Sequence, residues 1–495
     1  MFDKRKSGIL MHISSLPSEY GIGKFGSDAY AFVDFLVGCK QKYWQILPLS
    51  PTSFGDSPYQ SFSIHAGNPY FIDFETLANE GLLKESDYKD LIWCDDERYV
   101  DYDKLYKLNF TVLRKAYEVF KNNVPSAYIE YVNENDYWLN DYALFMSLKD
   151  ANFGKPWIQW NSSLVRRDEF AIDAAKDKYK DDIGFWKFTQ YKFYEQWFKL
   201  KEYANQKGVE IIGDIPIYVA YDSVDVWCSP ELFELDEDLL PVNVAGCPPD
   251  IFTPLGQLWG NPLYNWELMK RDSYSWWIDR IASAQKSYDV IRIDHFRGFD
   301  SYFSIPFGDE NAIGGHWEEG PKIELFNAVK ERLGEVKIIA EDLGFITQSV
   351  KELLKNTGYP GMKVLQFAFN PDASSMYLPQ NFENSNCFVY TGTHDNDTLK
   401  GWIYSESEES IRFAMDYLGI EQKEDLPWAV IRLAWTSIAN TAIAPIQDFL
   451  ELCSEARINI PSTVGNNWRW RAVMSDFTPE LQQKIGYLTT LCGRQ

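Results

Sequence analysis

The chain has 495 residues, of which 45% are hydrophobic and 24% charged, the balance of a globular protein with a large core. Its formal net charge of −24 argues against nucleic acid and anionic membranes as partners, because an acidic surface repels phosphate groups. The seven cysteines are scattered and contain no C-x-x-C pair, which argues against a disulfide framework and for a reducing compartment.

Eight short β-branched or aromatic runs, most of them ending in polar residues, predict strands. In chain order they cover residues 42–50, 68–74, 208–219, 288–298, 335–344, 362–369, 386–397 and 440–450. Because they are apolar on both faces, they are typical of a fully covered parallel sheet. Helical spacing between the later runs, at 323–334 and 346–358, predicts an α/β fold of the (β/α)₈ TIM-barrel type. A doubly wound open sheet is the alternative, but no glycine-rich phosphate loop follows the first run.

Two segments are too long to be simple crossovers between strands. Residues 75–207 are charged and aromatic-rich and predict a mainly helical insertion after the second strand. Residues 220–287 follow the third strand and include AGCPPDIFTPLGQLWGNPLYNW, whose prolines, glycines and tryptophans predict a shaped loop over the barrel mouth. We therefore expect residues 1–495 to form one catalytic barrel with these two insertions.

The hydropathy of the chain predicts neither a signal peptide nor a membrane-spanning helix. The N-terminal segment is basic but lacks the apolar run of a signal peptide. The most apolar later stretch, 428–446, contains Arg432 and polar residues and predicts a buried helix followed by a strand. We expect a cytoplasmic protein.

Carboxylates stand at or just after the ends of four predicted strands. These are Asp214, Asp294, Glu341 and Asp395, from the third, fourth, fifth and seventh strands of the usual barrel order. Any one of them could be an ordinary helix cap or turn residue. Since the carboxyl ends of barrel strands meet on one face, however, we expect all four to converge there.

Two of these acids differ in their predicted environment. Alternation along a strand places Arg292 on the same side as Asp294, and a nearby guanidinium favours a charged carboxylate. Glu341 ends an apolar strand, where desolvation raises the pKa of a carboxyl. One ionised and one protonated carboxyl are what the cleavage of a glycosidic bond requires.

Metal binding is the competing use of such acids. The five histidines show neither H-x-H nor H-x-x-x-H spacing, so a zinc site is not expected. Calcium at some loop acids stays open, but we expect no metal and no organic cofactor.

Several segments carry a specific resemblance. They are SPYQSFSIHAGNPY (57–70), GDIPIYVAYDSVDVW (213–227), GCPPDIFTPLGQLWGNPLY (246–264), RIDHFRGF (292–299), AEDLG (340–344), THDNDT (393–398) and NNWRWR (466–471). In these motifs and their order the sequence resembles the amylomaltase or disproportionating-enzyme family, the 4-α-glucanotransferases of glycoside hydrolase family 77.

The resemblance implies a retaining glucanotransferase acting on α-1,4-glucans and malto-oligosaccharides. It implies that Asp294 is the nucleophile that carries a covalent glycosyl group, Glu341 the acid/base and Asp395 the transition-state stabiliser. The glucan segment would pass to the 4-OH of another glucan or of glucose. The substrate-binding positions that it implies are Tyr59, Asp214, Gln257, Trp259, Arg292 and His394.

The sequence departs from the family pattern at three positions. Cys247 and Ile251 stand in the mouth loop where Val and an aromatic or small residue are expected, and Ile458 stands where Met is usual. These departures bear on the choice of acceptor rather than on the reaction. A plain α-glucan hydrolase with the same acids is the close alternative, and a non-catalytic sugar-binding barrel is a third.

Overall fold

The computed structural model describes residues 2, 4–249, 253–344 and 346–495. The strands are β1 (Lys6–Leu10), β2 (Tyr43–Gln45), β3 (Glu210–Ile215), β4 (Asn243–Cys247), β5 (Gln257–Pro262), β6 (Val290–Ile293), β7 (Ser301–Pro306), β8 (His316–Glu319), β9 (Ile338–Ala340), β10 (Gly361–Val364), β11 (Cys387–Tyr390) and β12 (Thr441–Pro445).

The first ten helices lie before and within the two long insertions. They are α1 (Ser27–Gly38), α2 (Phe74–Asn79), α3 (Tyr102–Phe120), α4 (Ser126–Glu134), α5 (Asp136–Ala151), α6 (Ser162–Val165), α7 (Glu169–Lys178), α8 (Lys180–Gln206), α9 (Val224–Cys228) and α10 (Trp266–Arg271). The remaining helices are α11 (Ser275–Ser287), α12 (Lys322–Leu333), α13 (Gln348–Thr357), α14 (Leu399–Ser405), α15 (Glu408–Leu418), α16 (Leu426–Thr436), α17 (Ile446–Phe449) and α18 (Pro479–Leu491).

Eight strands form one sheet in the order β10-β11-β12-β1-β2-β3-β6-β9, and every neighbouring pair is parallel. The two outer strands also meet, since the backbone N–H of Ala340 donates to the Pro360 carbonyl at 3.0 Å. The sheet is thus a nearly closed (β/α)₈ barrel, and the predicted fold class is confirmed. The predicted helices at 323–334 and 346–358 are also confirmed, as α12 and α13.

One of the eight predicted strands is wrong, and one strand of the barrel was missed. Residues 68–74 form a 3₁₀ turn at Pro69–Phe71 and the start of α2, not a strand. Proline fixes its φ and has no N–H, while the Asn68 side chain accepts from Tyr70 N at 3.0 Å and starts the turn. The true first strand is β1, whose sequence KSGIL has little apolar pattern but pairs with both β2 and β12.

The barrel interior changes character from one layer to the next. The lower layers are apolar and contain Leu10, Tyr43, Ile212, Val290, Ile339, Met362, Val364, Phe388, Tyr390 and Ile443. Because side chains alternate along a strand, the inward position two residues further on is Gln45 in β2, Asp214 in β3 and Arg292 in β6. A packed apolar stack therefore supports a polar layer at the carboxyl ends of the strands.

The two long insertions lie on either side of β3. Within residues 75–207, all of which the structure describes, the regular elements are helices. The mouth segment after β3 contains two strands, β4 and β5, which pair antiparallel. They belong to a second sheet of order β5-β4-β7-β8, whose β7 and β8 follow β6 in the chain. That sheet was not predicted.

The ends of the described chain meet at the barrel. β1 and β12 pair in register from Lys6 opposite Thr441. The Arg494 side chain is buried beside them and donates to the carbonyls of Lys6 at 3.0 Å and Trp435 at 2.6 Å. Among the described residues, no helix is long and apolar enough to cross a membrane.

Candidate active site

A buried arginine forms the floor of the site. Arg292, on β6, lies between two carboxylates: Nη1 is 2.5 Å from Asp214 Oδ2 and Nη2 is 2.9 Å from Asp294 Oδ1. The prediction that Arg292 and Asp294 share one side is confirmed. The Tyr59 hydroxyl donates to the same Asp214 oxygen at 2.9 Å. Burial raises the pKa of Asp214, while Arg292 opposes that rise.

Glu341 follows β9 and is held by two backbone donors. His295 N donates to Oε2 at 2.7 Å, and Leu343 N donates to Oε1 at 2.8 Å. Burial raises the pKa of Glu341, and the neighbouring charge of Asp294 raises it further, against the opposing effect of Arg292 and the two N–H groups. The predicted direction of this shift is confirmed. A carboxyl that retains its proton near neutral pH is suited to proton donation.

Asp395 lies in the loop after β11 and is fixed by a second loop, residues 457–468. Asn459 Nδ2 donates to Asp395 Oδ1 at 2.7 Å, and Arg457 Nη2 donates to the Asp395 carbonyl at 2.6 Å. His394 Nε2 lies 3.4 Å from the same carboxylate oxygen, and Asn459 N donates to the His394 carbonyl at 3.1 Å. Burial lowers the pKa of His394, so its imidazole is neutral at pH 7.

These groups open into one cleft of about 590 Å³. That volume lies within the range of about 300–1,000 Å³ that is typical of small-molecule pockets. The Tyr59 ring stacks on the His394 ring, with centroids 5.0 Å apart and planes at 15°. Elsewhere in the cleft lining the Trp259 indole N–H donates to Gln257 Oε1 at 3.0 Å.

The structure brings all nine predicted site residues together. Six line the cleft: Tyr59, Gln257, Trp259, Asp294, His394 and Asp395. Glu341 is joined to this group through its bond from His295 N. The Asp214 and Arg292 side chains are only 0% and 4% exposed, so they lie beneath the cleft and reach a ligand only through Tyr59 and Asp294.

Of the three positions that depart from the family pattern, two are described. Cys247 ends β4, opposite Gln257 of β5. Ile458 is buried, and its carbonyl accepts from Trp468 N at 2.7 Å. Ile251 lies outside the described residues.

Three residues of the site were missed from sequence: Asn459, Arg457 and His295. Asn459 and Arg457 follow the eighth barrel strand, so their position at the carboxyl end of the barrel was a usable signal. His295 directly follows Asp294, and because β6 ends at Ile293 strand alternation does not fix the direction of its side chain. Among the described residues, no group of three or more His, Cys, Asp or Glu side chains is arranged to hold a metal ion.

An eight-stranded barrel with acids of contrasting environment at its carboxyl ends, opening into an aromatic-walled cleft, defines a carbohydrate-active barrel enzyme. The family model for 4-alpha-glucanotransferases, glycoside hydrolase family 77, matches residues 11–475. The chain belongs to that family and is a 4-alpha-glucanotransferase by activity.

Individual relatives agree over nearly the whole chain. The 4-alpha-glucanotransferase of Clostridium butyricum is 50% identical over 98% of this chain and 100% of its own length. That of Streptococcus pneumoniae is 47% identical over 99% of this chain and 98% of its own. The solved structure of amylomaltase from Streptococcus agalactiae in complex with acarbose has a TM-score of 0.97 at 44% identity, covering 99% of this chain and 100% of that one.

Proposed function

We propose that this enzyme is a retaining transferase that moves α-1,4-glucan segments through a covalent intermediate on Asp294. The observation that carries the proposal is the contrast between two neighbouring acids. The Asp294 carboxylate is paired with the Arg292 guanidinium at 2.9 Å, whereas burial holds the pKa of Glu341 above its usual range.

In the first step the ionised Asp294 attacks the anomeric carbon of the donor glucose unit. The glycosidic bond breaks, and its oxygen takes the proton of Glu341, so the shorter glucan leaves neutral. In the second step the 4-OH of an acceptor glucan or glucose attacks the same carbon. Its proton passes to Glu341, and Asp294 departs as a carboxylate. Two inversions at one carbon retain the α configuration.

Asp395 is assigned to the stabilisation of positive charge on the sugar ring in both transition states. Its hydrogen bond from Asn459 and its proximity to His394 support a fixed carboxylate at that position. Tyr59, Gln257, Trp259 and His394 are assigned to substrate binding because their side chains line the cleft. Asp214 and Arg292 are assigned to holding Tyr59 and Asp294 in place from below.

The donor and acceptor are both α-1,4-glucans or malto-oligosaccharides in this proposal. The whole of residues 1–495 serves as one catalytic barrel, with the segments 75–207 and 220–287 as insertions. The relatives named 4-alpha-glucanotransferase match over 100% and 98% of their own lengths, which supports a single catalytic unit.

Transfer is tested with maltotriose as the sole substrate. We expect glucose and a ladder of longer oligosaccharides, without a stoichiometric gain in reducing ends. A steady rise in reducing ends with only shorter products would identify a hydrolase instead.

The covalent step is tested with Glu341→Gln and α-maltosyl fluoride. Fluoride leaves with little protonation, so Asp294 is still glycosylated, but the adduct turns over slowly because no base remains to activate the acceptor. We expect mass spectrometry to find the adduct on the peptide that contains Asp294. The matched control, Asp294→Asn, should form none. An adduct on another carboxylate, or a β-configured product, would overturn the assignment.

A further inference from the structure

His295, the residue after Asp294, has an unusual backbone conformation. Its φ is 49° and its ψ is 47°, the left-handed region, which L-residues with a side chain adopt at a cost. Glycine would adopt it freely, yet histidine stands there. The site therefore retains both a strained turn and a specific side chain.

The backbone N–H of His295 faces Glu341, the proposed acid/base. Where the chain enters this turn, the His295 N–H donates to Glu341 Oε2 at 2.7 Å. The other groups that act on Glu341 are Asp294 and Arg292 from the β6 side, Leu343 N on its own loop and the Tyr377 hydroxyl beyond β10. The His295 N–H and the Leu343 N–H both donate to this carboxyl.

The imidazole of His295 contacts Trp259 in the cleft lining. The imidazole centroid is 4.8 Å from the Trp259 ring, with the planes at 88°. Burial lowers the pKa of His295 to about 4, so the ring is neutral at pH 7. Its Nε2 is buried and has no hydrogen-bond partner among the described residues. The ring thus contributes an edge-on aromatic contact to Trp259, whose own N–H is held by Gln257.

We propose that His295 is a positioning residue with two separable roles: its left-handed backbone fixes the carboxyl of Glu341, and its imidazole fixes the indole of Trp259. One residue then sets both the acid/base and the substrate-binding wall relative to Asp294. This inference rests on the proposed function for the identity of the acid/base.

Two substitutions separate the roles. His295→Gly keeps the left-handed turn and the N–H but removes the ring, whereas His295→Ala removes the ring and also penalises the turn. An edge-on aromatic pair is worth about 0.5–1.5 kcal/mol, or roughly a 2- to 12-fold change in affinity. We expect His295→Gly to raise the KM for maltotriose by about that factor, with kcat and the pH profile close to wild type.

For His295→Ala we expect the same rise in KM together with a lower kcat. If the turn relaxes, Glu341 loses an N–H that stabilises its charged form, so its pKa rises. The alkaline limb of the pH profile should therefore move to higher pH in His295→Ala and stay in place in His295→Gly. Purely structural damage would lower the melting temperature without separating these two readouts.

The control for backbone strain is Phe153, which has a φ of 57° and is 94% exposed, away from the cleft. Phe153→Gly and Phe153→Ala show how glycine and alanine at a left-handed position change the melting temperature. We expect neither variant to change KM or the pH profile. A double-mutant cycle of His295→Gly with Trp259→Phe should give KM effects that do not add, because both act through the indole.

The inference is overturned if His295→Gly leaves KM unchanged or if the His295→Gly and His295→Ala variants have the same pH profile. It is also overturned if the KM effects of His295→Gly and Trp259→Phe are additive. Maltotriose affinity is also measured by calorimetry in an Asp294→Asn background, where no turnover occurs. If the wild type forms no products longer than maltotriose, the proposed transfer is wrong. The affinities for maltotriose with and without the imidazole still decide the role of His295 in that case.

Discussion

Removing the amide of Asn459 should slow the reaction without unfolding the protein. Its Nδ2 donates to Asp395 Oδ1 at 2.7 Å, a hydrogen bond to a charged group. Such bonds are worth about 1.5–3 kcal/mol. The Asp395 side chain is 46% exposed, so water replaces part of the lost bond and the lower end of that range applies. At about 1.4 kcal/mol per factor of ten, Asn459→Ala should lower kcat about tenfold.

The effect should fall on kcat, because the proposed task of Asp395 is to face charge that develops only in the transition state. Asn459→Asp places a second carboxylate against Asp395 and should cost more than Asn459→Ala. The assay is initial glucose release from maltotriose over a range of concentrations, with the melting temperature of each variant measured alongside.

Asn467→Ala is the matched control. Asn467 orders the same loop, since its Oδ1 accepts from Ile460 N at 3.1 Å and its Nδ2 donates to the Thr463 carbonyl at 3.1 Å, but neither bond reaches an acid. If Asn459→Ala stays within twofold of wild type, or if Asn467→Ala loses as much kcat, the direct bond to Asp395 is not what positions that carboxylate.

Four further outcomes are expected. Trp259→Ala should raise the KM for maltotriose more than it lowers the melting temperature; an unchanged KM with a marked thermal loss would show that the indole only anchors its strand. Gly213→Ala should destabilise the barrel by about 1–3 kcal/mol, since the new Cβ would lie 2.1 Å from the Tyr288 ring, and denaturant unfolding measures it. Burial raises the pKa of Asp448 to about 7. The stability that its protonated form contributes is present below the unfolded-state pKa and is lost as the pH rises through 7. The melting temperature of the wild type should therefore fall relative to that of Asp448→Asn between pH 5 and pH 8. Activity should survive prolonged chelation and desalting, and a loss that calcium restores would show that loop acids bind a metal.

The parts of the site that lie on strands could be predicted from sequence. Period-two alternation placed Arg292 beside Asp294, and the apolar run before Glu341 indicated the direction of its pKa shift. Both inferences depend on only a few neighbouring residues. They hold because the alternation of side chains along a barrel strand fixes which of these residues face the same side.

The parts that depend on tertiary closure could not be predicted. Asn459 contacts a carboxylate 64 residues away, and nothing in the local pattern selects that partner. The error at 68–74 has another cause: Tyr70, Phe71 and Ile72 are strand formers, but Pro69 and the side-chain cap from Asn68 override their preference. β1 was missed because its short KSGIL sequence depends on its two neighbours for its conformation.

The seam between β1 and β12 has a consequence for biosynthesis. Of the barrel strands, β1 is made before the others, but one of its edges has no partner until β12 has been made. At about 5–20 residues per second, that edge stays open for roughly 20–90 s in each nascent chain. The contacts of Arg494 with the Lys6 and Trp435 carbonyls form later still. The barrel therefore closes only after β12 has been made, and until then the short length of β1 and the charge of Lys6 disfavour pairing of its open edge with another chain.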